Sequence, residues 1–230
     1  MAKQSGPGSA NKLLRYFRQV LNAAVENGTI KANPALGIKP MKVPGDGFKP
    51  WTEELIDRYQ AHWPIGTKQR LAFDLLLYTG QRRSDVVLMA KSNISNGEIL
   101  VVQQKTGNAL WIPIHPNLLH SIAEAKGGTV QILTTSQKRP FTSNGFGNWF
   151  RRQCNEAGIP KGYSAHGLRK AAGRRLAEAG CTPHQIMAVL GHKTLSEATR
   201  YTKDADRKKN ARTAMAHLVR SGVSSNQLKD

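Results

Sequence analysis

Residues 164 to 201 read SAHGLRKAAGRRLAEAGCTPHQIMAVLGHKTLSEATRY, and the helical patterns inside this stretch set the class of the fold. Ala165 to Ala179 and Pro183 to Leu190 carry apolar residues at helical spacing, with Gly180 and Gly191 as their stops. Ser164 is a candidate N-cap. His166 and Arg169 stand three apart, so they lie on one helix face. Arg169 shares that face with Ala172 and Leu176, a mostly apolar stripe that turns inward, where a guanidinium needs an anionic partner. From this stretch alone, an arginine that snorkels to solvent or meets a structural carboxylate is the more usual reading.

Working outward, Asn144 to Ala157 is a further helix ending at Gly158, Gln69 to Tyr78 reads as a buried helix ending at Thr79-Gly80, and Ser84 to Ala90 reads as another. Thr52 precedes Glu53, Glu54 and Leu55, a helix start with acidic residues at the positive end of its dipole. Glu98 to Gln104 and Ala109 to Ile114 are β-branched and apolar runs joined by Lys105-Thr106-Gly107-Asn108, a hairpin signal, and Val130 to Leu133 is a candidate third strand. Asp206 to Val219 reads as a basic amphipathic helix, followed by a polar tail after Ser221. The class is α+β, mostly helical with a small antiparallel sheet.

Towards the N-terminus, Pro34, Gly37, Pro40, Pro44, Gly45, Gly47 and Pro50 mark Asn33 to Pro50 as a linker. Before it, Leu13, Leu14, Phe17, Val20, Leu21, Ala24 and Val25 place an amphipathic helix over Asn11 to Asn27, with Gly28 as its stop. Met1 to Ala10, rich in Gly, Ser and Pro, is a lead-in expected to carry no fold. The division is therefore 1–47, lead-in, helix and linker, and 48–230, the main domain.

Across its 230 residues the chain carries 34 Lys and Arg against 15 Asp and Glu, a formal charge of +19, which calls for a polyanionic partner. The basic residues are interspersed with apolar ones, as in Leu168 to Leu176, which favours nucleic acid over a lipid surface. Cys154 and Cys181 lack the spacing of a zinc site or a disulfide framework. No apolar run approaches the ~20 residues of a membrane span, and no signal peptide opens the chain. A soluble protein of a reducing cytoplasm is expected.

Four further positions carry chemistry. In Thr79-Gly80-Gln81-Arg82-Arg83-Ser84-Asp85, Arg82 sits between two helices, where backbone N–H groups and a guanidinium can converge on a phosphate; a solvated turn reads equally well. Lys105 at the hairpin tip could donate a proton to a departing oxygen, although turn lysines are usually just solvated. His192 follows Gly191 on an irregular segment, and a lone histidine is more often structural. Tyr201 lies in a basic, polar stretch where a core tyrosine would find few apolar neighbours. Its phenol, with an ordinary pKa of about 10, attacks phosphorus well only beside cations or a base.

Taken in order, T-G-x-R, a hairpin lysine, H-x-L-R, L-G-H and a tyrosine nine residues beyond make the chain, over roughly residues 11 to 215, resemble the tyrosine recombinases of the phage-integrase type. The resemblance implies that fold's catalytic domain. It implies that Arg82, Arg169 and His192 hold a scissile phosphate, Lys105 protonates the leaving 5′ oxygen, His166 assists proton transfer, and Tyr201 is the nucleophile. Asp85 stands where the family commonly has Glu, buttressing the arginine loop. Arg83, Lys170, Arg174 and Arg200 are candidate DNA contacts. Asn11 to Pro40, with Asn33-Pro34-Ala35, resembles the end of the family's core-binding domain, most of which is missing from the chain, so weaker DNA binding is expected.

The implied reaction is site-specific breakage and rejoining of double-stranded DNA through a 3′-phosphotyrosyl link, with no ATP, metal or other cofactor. The implied assembly is a homotetramer on paired sites, with room for accessory DNA-bending or directionality proteins. The stretch after the tyrosine is the candidate segment for exchange between subunits. Two rival readings stay open: a type IB topoisomerase-like relaxing enzyme, and a catalytically silent DNA-binding protein.

Overall fold

The computed structural model describes residues 6–43, 47–125 and 130–220. Met1 to Ser5 of the lead-in, Pro44 and Gly45 of the linker and the tail after Ser221 lie outside the described residues. The chain divides into two compact units, Met1–Gly47 and Phe48–Asp230.

In the first unit α1 spans Pro7–Glu26. It starts at Pro7 rather than at Asn11, because Gly6 enters in an extended conformation and Pro7 has its φ preset for a first helical turn. The lead-in is therefore helical from Pro7. The segment read as a linker is strapped to α1 as far as Met41. Asn33 donates to Arg18 O (3.1 Å) and Asn22 Oδ1 (2.6 Å), Arg18 Nε donates to Ala35 O (3.0 Å), and the Asn11 amide pairs with both backbone groups of Met41. Proline and glycine content signals the lack of regular structure here but not these side-chain ties.

The second unit opens with α2 (Glu53–His62), capped by Thr52 as its sequence predicts, and α3 (Lys68–Thr79), which ends where Gly80 turns left-handed at φ 62°. The helix expected over Ser84 to Ala90 is a single turn, α4 (Arg83–Val86). Its bonds tighten to three-residue spacing at Leu88 and Met89, and Ala90 leaves extended to bridge Gln131.

The sheet is antiparallel, in the order β1 (Ile94–Ser95), β2 (Glu98–Val102), β3 (Ala109–Pro113). Its third strand is Ile94–Ser95 rather than Val130 to Leu133. Asn96 (φ 50°) and Gly97 (φ 76°) both turn left-handed, the two-residue hairpin for which Asn-Gly is the strongest local signal, whereas Gln131 makes only an isolated bridge. Then follow α5 (Pro116–Glu124), α6 (Ser143–Glu156), α7 (Ala165–Glu178), α8 (Pro183–Leu190) and α9 (Leu195–Arg220). The last runs unbroken through Tyr201 and the stretch Asp206 to Val219, because no Gly or Pro interrupts it.

Two hydrophobic clusters position the site. In the larger, Tyr59 stacks on Phe73 (4.4 Å between centroids), Trp51 meets Phe73 edge-on (5.4 Å), and Phe146 and Phe150 complete a fully buried aromatic centre. Each such ring contributes roughly 2–3 kcal/mol by burial. Trp51 Nε1 donates to Ser164 O (3.0 Å), and Gly167 lets α7 press against the Lys49 carbonyl, where a Cβ would collide. The smaller cluster, Ala172, Ala177, Ile186, Leu190 and Ala198, packs α7, α8 and α9 together.

Candidate active site

A cavity of about 760 Å³ has walls that include Arg82, Lys105, His166, Arg169, His192 and Tyr201, so residues spread over 120 positions of sequence are brought together. Lys170, Arg174 and Arg200 also line it. Arg83 lies instead on an adjoining cavity of about 400 Å³, which shares Arg82 and His166 with the first.

Arg169 is buried, but its partners are not the carboxylate its apolar face suggests. Nη1 donates to Gly80 O and Nη2 to Leu190 O, both at 2.8 Å. These carbonyls stand at the C-terminal ends of α3 and α8, where unsatisfied carbonyls and the helix dipole concentrate negative charge. Two helix ends thus do the work of a counter-ion. Of the five N–H groups of a guanidinium, three remain for another acceptor. Burial, then the charge of Arg82, pulls the Arg169 pKa down to about 10, so it stays a cation at neutral pH.

Leu190 O also accepts from Gln103 Nε2 (2.8 Å), which bonds Gln81 Oε1 as well (2.6 Å). Gln103 Oε1 accepts from Thr106 Oγ1 (2.8 Å), and Gln104 N donates to Asp85 Oδ1 (3.0 Å). The residues just before Lys105 are therefore tied to the arginine loop and to α8, while Lys105 itself is exposed. Asp85 is buried, with Oδ2 3.9 Å from Arg82 Nη1.

Tyr201 does find apolar company: it packs on the smaller cluster and lies close against Gly173 of α7. Its ring is parallel to that of His192 (5°, centroids 5.9 Å). Burial raises the phenol pKa, Arg169 pulls it back, and Glu197, one turn earlier on α9, pushes it up again. His192 is held down to about 4, by burial first and then by Arg169, with Glu197 opposing. His166, beside Phe48, is lowered by burial and by four surrounding cations. Both histidines thus favour the neutral form at pH 7, in which an imidazole can accept or donate a proton.

Ser164 occupies the N-cap position of α7 but makes no side-chain cap bond. Among the described residues, four buried side-chain polar atoms lack a hydrogen-bond partner: Arg82 Nη1, Asp85 Oδ2, Ser164 Oγ and His192 Nδ1. All belong to the walls of the two cavities or directly support them, which is where a bound anion would satisfy donors. Arg174 is already engaged, by Glu53 (2.6 Å), Glu178 (3.0 Å) and Trp51 O (3.1 Å). Glu197, Gln81, Gln103, Gly173 and Arg151 were not legible as site residues. Glu197 alone had a local signal, standing four residues before Tyr201 on a common helix face. Among the described residues no three His, Cys, Asp or Glu side chains gather as metal ligands, and no helix is long and apolar enough to cross a membrane.

Comparison with known proteins identifies the family and the fold. Residues 52–208 match the model of the phage integrase family. The chain is 28% identical to the integrase of Enterobacteria phage 434 over 88% of its own length and 60% of that relative's, and 26% identical to the tyrosine recombinase XerD of Xanthomonas campestris over 85% and 68%. It thus spans about 60% of the phage relative. Its fold superposes on a lambda integrase tetramer bound to a Holliday junction with a TM-score of 0.71 at 25% identity, over 83% of this chain and 60% of that one. The mostly helical unit with its three-stranded antiparallel sheet is that of a tyrosine recombinase catalytic domain, and the chain belongs to the phage integrase family.

Proposed function

We propose that the chain carries the catalytic part of a site-specific DNA recombinase that breaks and rejoins strands through Tyr201. The observation that carries this reading is the convergence of a tyrosine, two arginines, a lysine and two neutral histidines on one cavity, where Arg82 Nη1 and His192 Nδ1 are buried without partners. In the proposed step Tyr201 Oη attacks phosphorus, the bond to the 5′ oxygen breaks as the phosphotyrosyl bond forms, and Lys105 delivers a proton to the departing oxygen. The phenol, its pKa raised by burial, must lose its proton as it attacks, and neutral His166 assists that transfer. Arg82, Arg169 and His192 hold the non-bridging oxygens, and Asp85 supports Arg82.

A 5′ hydroxyl of a second strand then attacks the phosphotyrosyl link and releases Tyr201. One ester is exchanged for another, so no ATP is consumed. The cations that neutralise the phosphate are side chains, so the reading calls for no metal. The tetrameric lambda integrase on a Holliday junction supports assembly of four protomers on paired DNA sites. The reading adds the bacterial cytoplasm as its place and accessory DNA-bending or directionality proteins as further partners. Within residues 1–47, Asn11 to Pro40 are read as the end of the DNA-clamping core-binding domain. Its α1 exposes Leu13, Tyr16, Phe17 and Val20, the apolar face such a helix would bury in a complete domain.

The test is cleavage of a nicked suicide duplex bearing a candidate attachment site. The account expects a covalent complex on the 3′ side, a new 5′ hydroxyl that a polynucleotide kinase can label, and no loss of either with EDTA. A 5′ phosphate at the cut, or cleavage that EDTA abolishes, overturns it.

A further inference from the structure

The smaller cavity is chemically distinct from the one that holds Tyr201. Arg83, Arg151, Ser84, Ser143 and the unpartnered Ser164 Oγ line it, together with Arg82 and His166, and its lining has no carboxylate, whereas Glu178 and Glu197 line its neighbour. Arg83 bonds Asn144 Oδ1 (3.3 Å) and lies across Gly147, where a Cβ would strike the guanidinium. The absence of a side chain at Gly147 thus holds Arg83 along the first turns of α6. The N-terminal ends of two helices, α6 and α7, face this space through Ser143, Ser164 and Ala165. Their first N–H groups have no intrahelical acceptor. An enclosure with two further guanidiniums, an orphaned buried hydroxyl and two helix N-termini, but no negative group, is built for an anion.

We infer that this cavity binds a second backbone phosphate of the DNA, adjoining the scissile one on the same strand, with Arg83 and Arg151 as its charged ligands. The inference rests on the strand-cleavage reading for the position of the first phosphate. Arg82 and His166 belong to both cavities, so the two anions are neighbours, and phosphates recur every ~3.4 Å of axis along one strand of a duplex. The second phosphate fixes the register in which the strand crosses Tyr201. Arg151 is therefore a positioning residue, exposed on α6 and outside the reacting group.

The experiment replaces one phosphate at a time around the cut with a neutral methylphosphonate and measures the rate of covalent complex formation by the wild-type chain and by Arg151→Gln, with thermal melting as the fold control. One flanking substitution is expected to slow the wild type roughly tenfold or more. Arg151→Gln slows reaction on natural DNA by a similar factor and is insensitive to that same substitution. Independent, multiplying effects, or an Arg151→Gln variant as fast as wild type, overturn the inference. Equilibrium binding of the same DNA set separates the two readings: coupling retained in binding without any covalent complex sinks only the chemistry, whereas no coupling in either assay sinks the second site. If the cavity serves free anions instead, inorganic phosphate binds the chain alone and that binding is lost in Arg151→Gln while coupling to DNA is absent, which also overturns it.

Discussion

Gly173 controls where the proposed nucleophile sits. A Cβ at this position would lie 2.7 Å from both Cε1 and Cζ of Tyr201 and 2.9 Å from Cδ1, against a carbon–carbon optimum of about 3.5–4.0 Å. In Gly173→Ala the ring must therefore retreat by about 1 Å, because α7 is fixed by Arg169 on one side and by Trp51 on the other. Alanine gains about 0.8–1 kcal/mol over glycine within a helix, and overpacking costs about 1–3 kcal/mol, so the net loss of stability is about 2 kcal/mol or less. The effect on chemistry is larger, since a displacement of about 1 Å at a reacting atom costs on the order of 100-fold. Stopped-time denaturing gels on suicide duplexes give the rate of covalent complex formation, fluorescence anisotropy gives DNA affinity, and urea titration gives stability. The expected pattern is an adduct rate down about 100-fold with affinity within a few-fold of wild type. A folded Gly173→Ala that forms adduct within threefold of wild type would refute the placement of Tyr201.

Three other outcomes follow from the same geometry. Arg169→Lys cannot reach both Gly80 O and Leu190 O, so it should lose about 2 kcal/mol or more in urea denaturation and most activity; equal stability would show that the two helix ends do not need the fork. His192 has a folded pKa of about 4 against an ordinary 6.5, so its neutral form contributes stability fully above about pH 6.5, and that contribution is lost as pH falls towards 4. His192→Asn should accordingly lose less stability than wild type between about pH 7 and pH 5, and parallel losses would contradict the burial of this ring. Binding to duplex DNA should weaken steeply with salt, with a log–log slope near ~7 if about eight phosphates are neutralised, and a slope near ~2 would confine contact to the catalytic cavity.

Much of this site is legible in the order of residues because its signals are local. Gly80 and Gly191 end helices through positive φ, so the positions of Arg82 and His192 just beyond those ends can be read directly from the chain. The hairpin around Lys105 is announced by its turn residues. What could not be read is set by partners distant in sequence. Arg169 meets the carbonyl ends of α3 and α8, and no pattern within α7 reveals that these converge. The anchoring of the hairpin through Gln103 depends on Leu190 and Gln81, and the depressed histidine pKa values depend on burial beside arginines. The true third strand was signalled by Asn96-Gly97, a turn overshadowed by the more apolar run at Val130 to Leu133. The helix α5 was announced only by Pro116 at its first position and His115 as its cap.

The central claim is that Tyr201 becomes covalently joined to DNA. The most direct measurement is mass spectrometry of the protein–DNA adduct after nuclease and tryptic digestion. The account predicts a nucleotide remnant on the Tyr201 side chain, and none from Tyr201→Phe. A remnant on another residue, or no adduct from a chain that binds its site tightly, would contradict it.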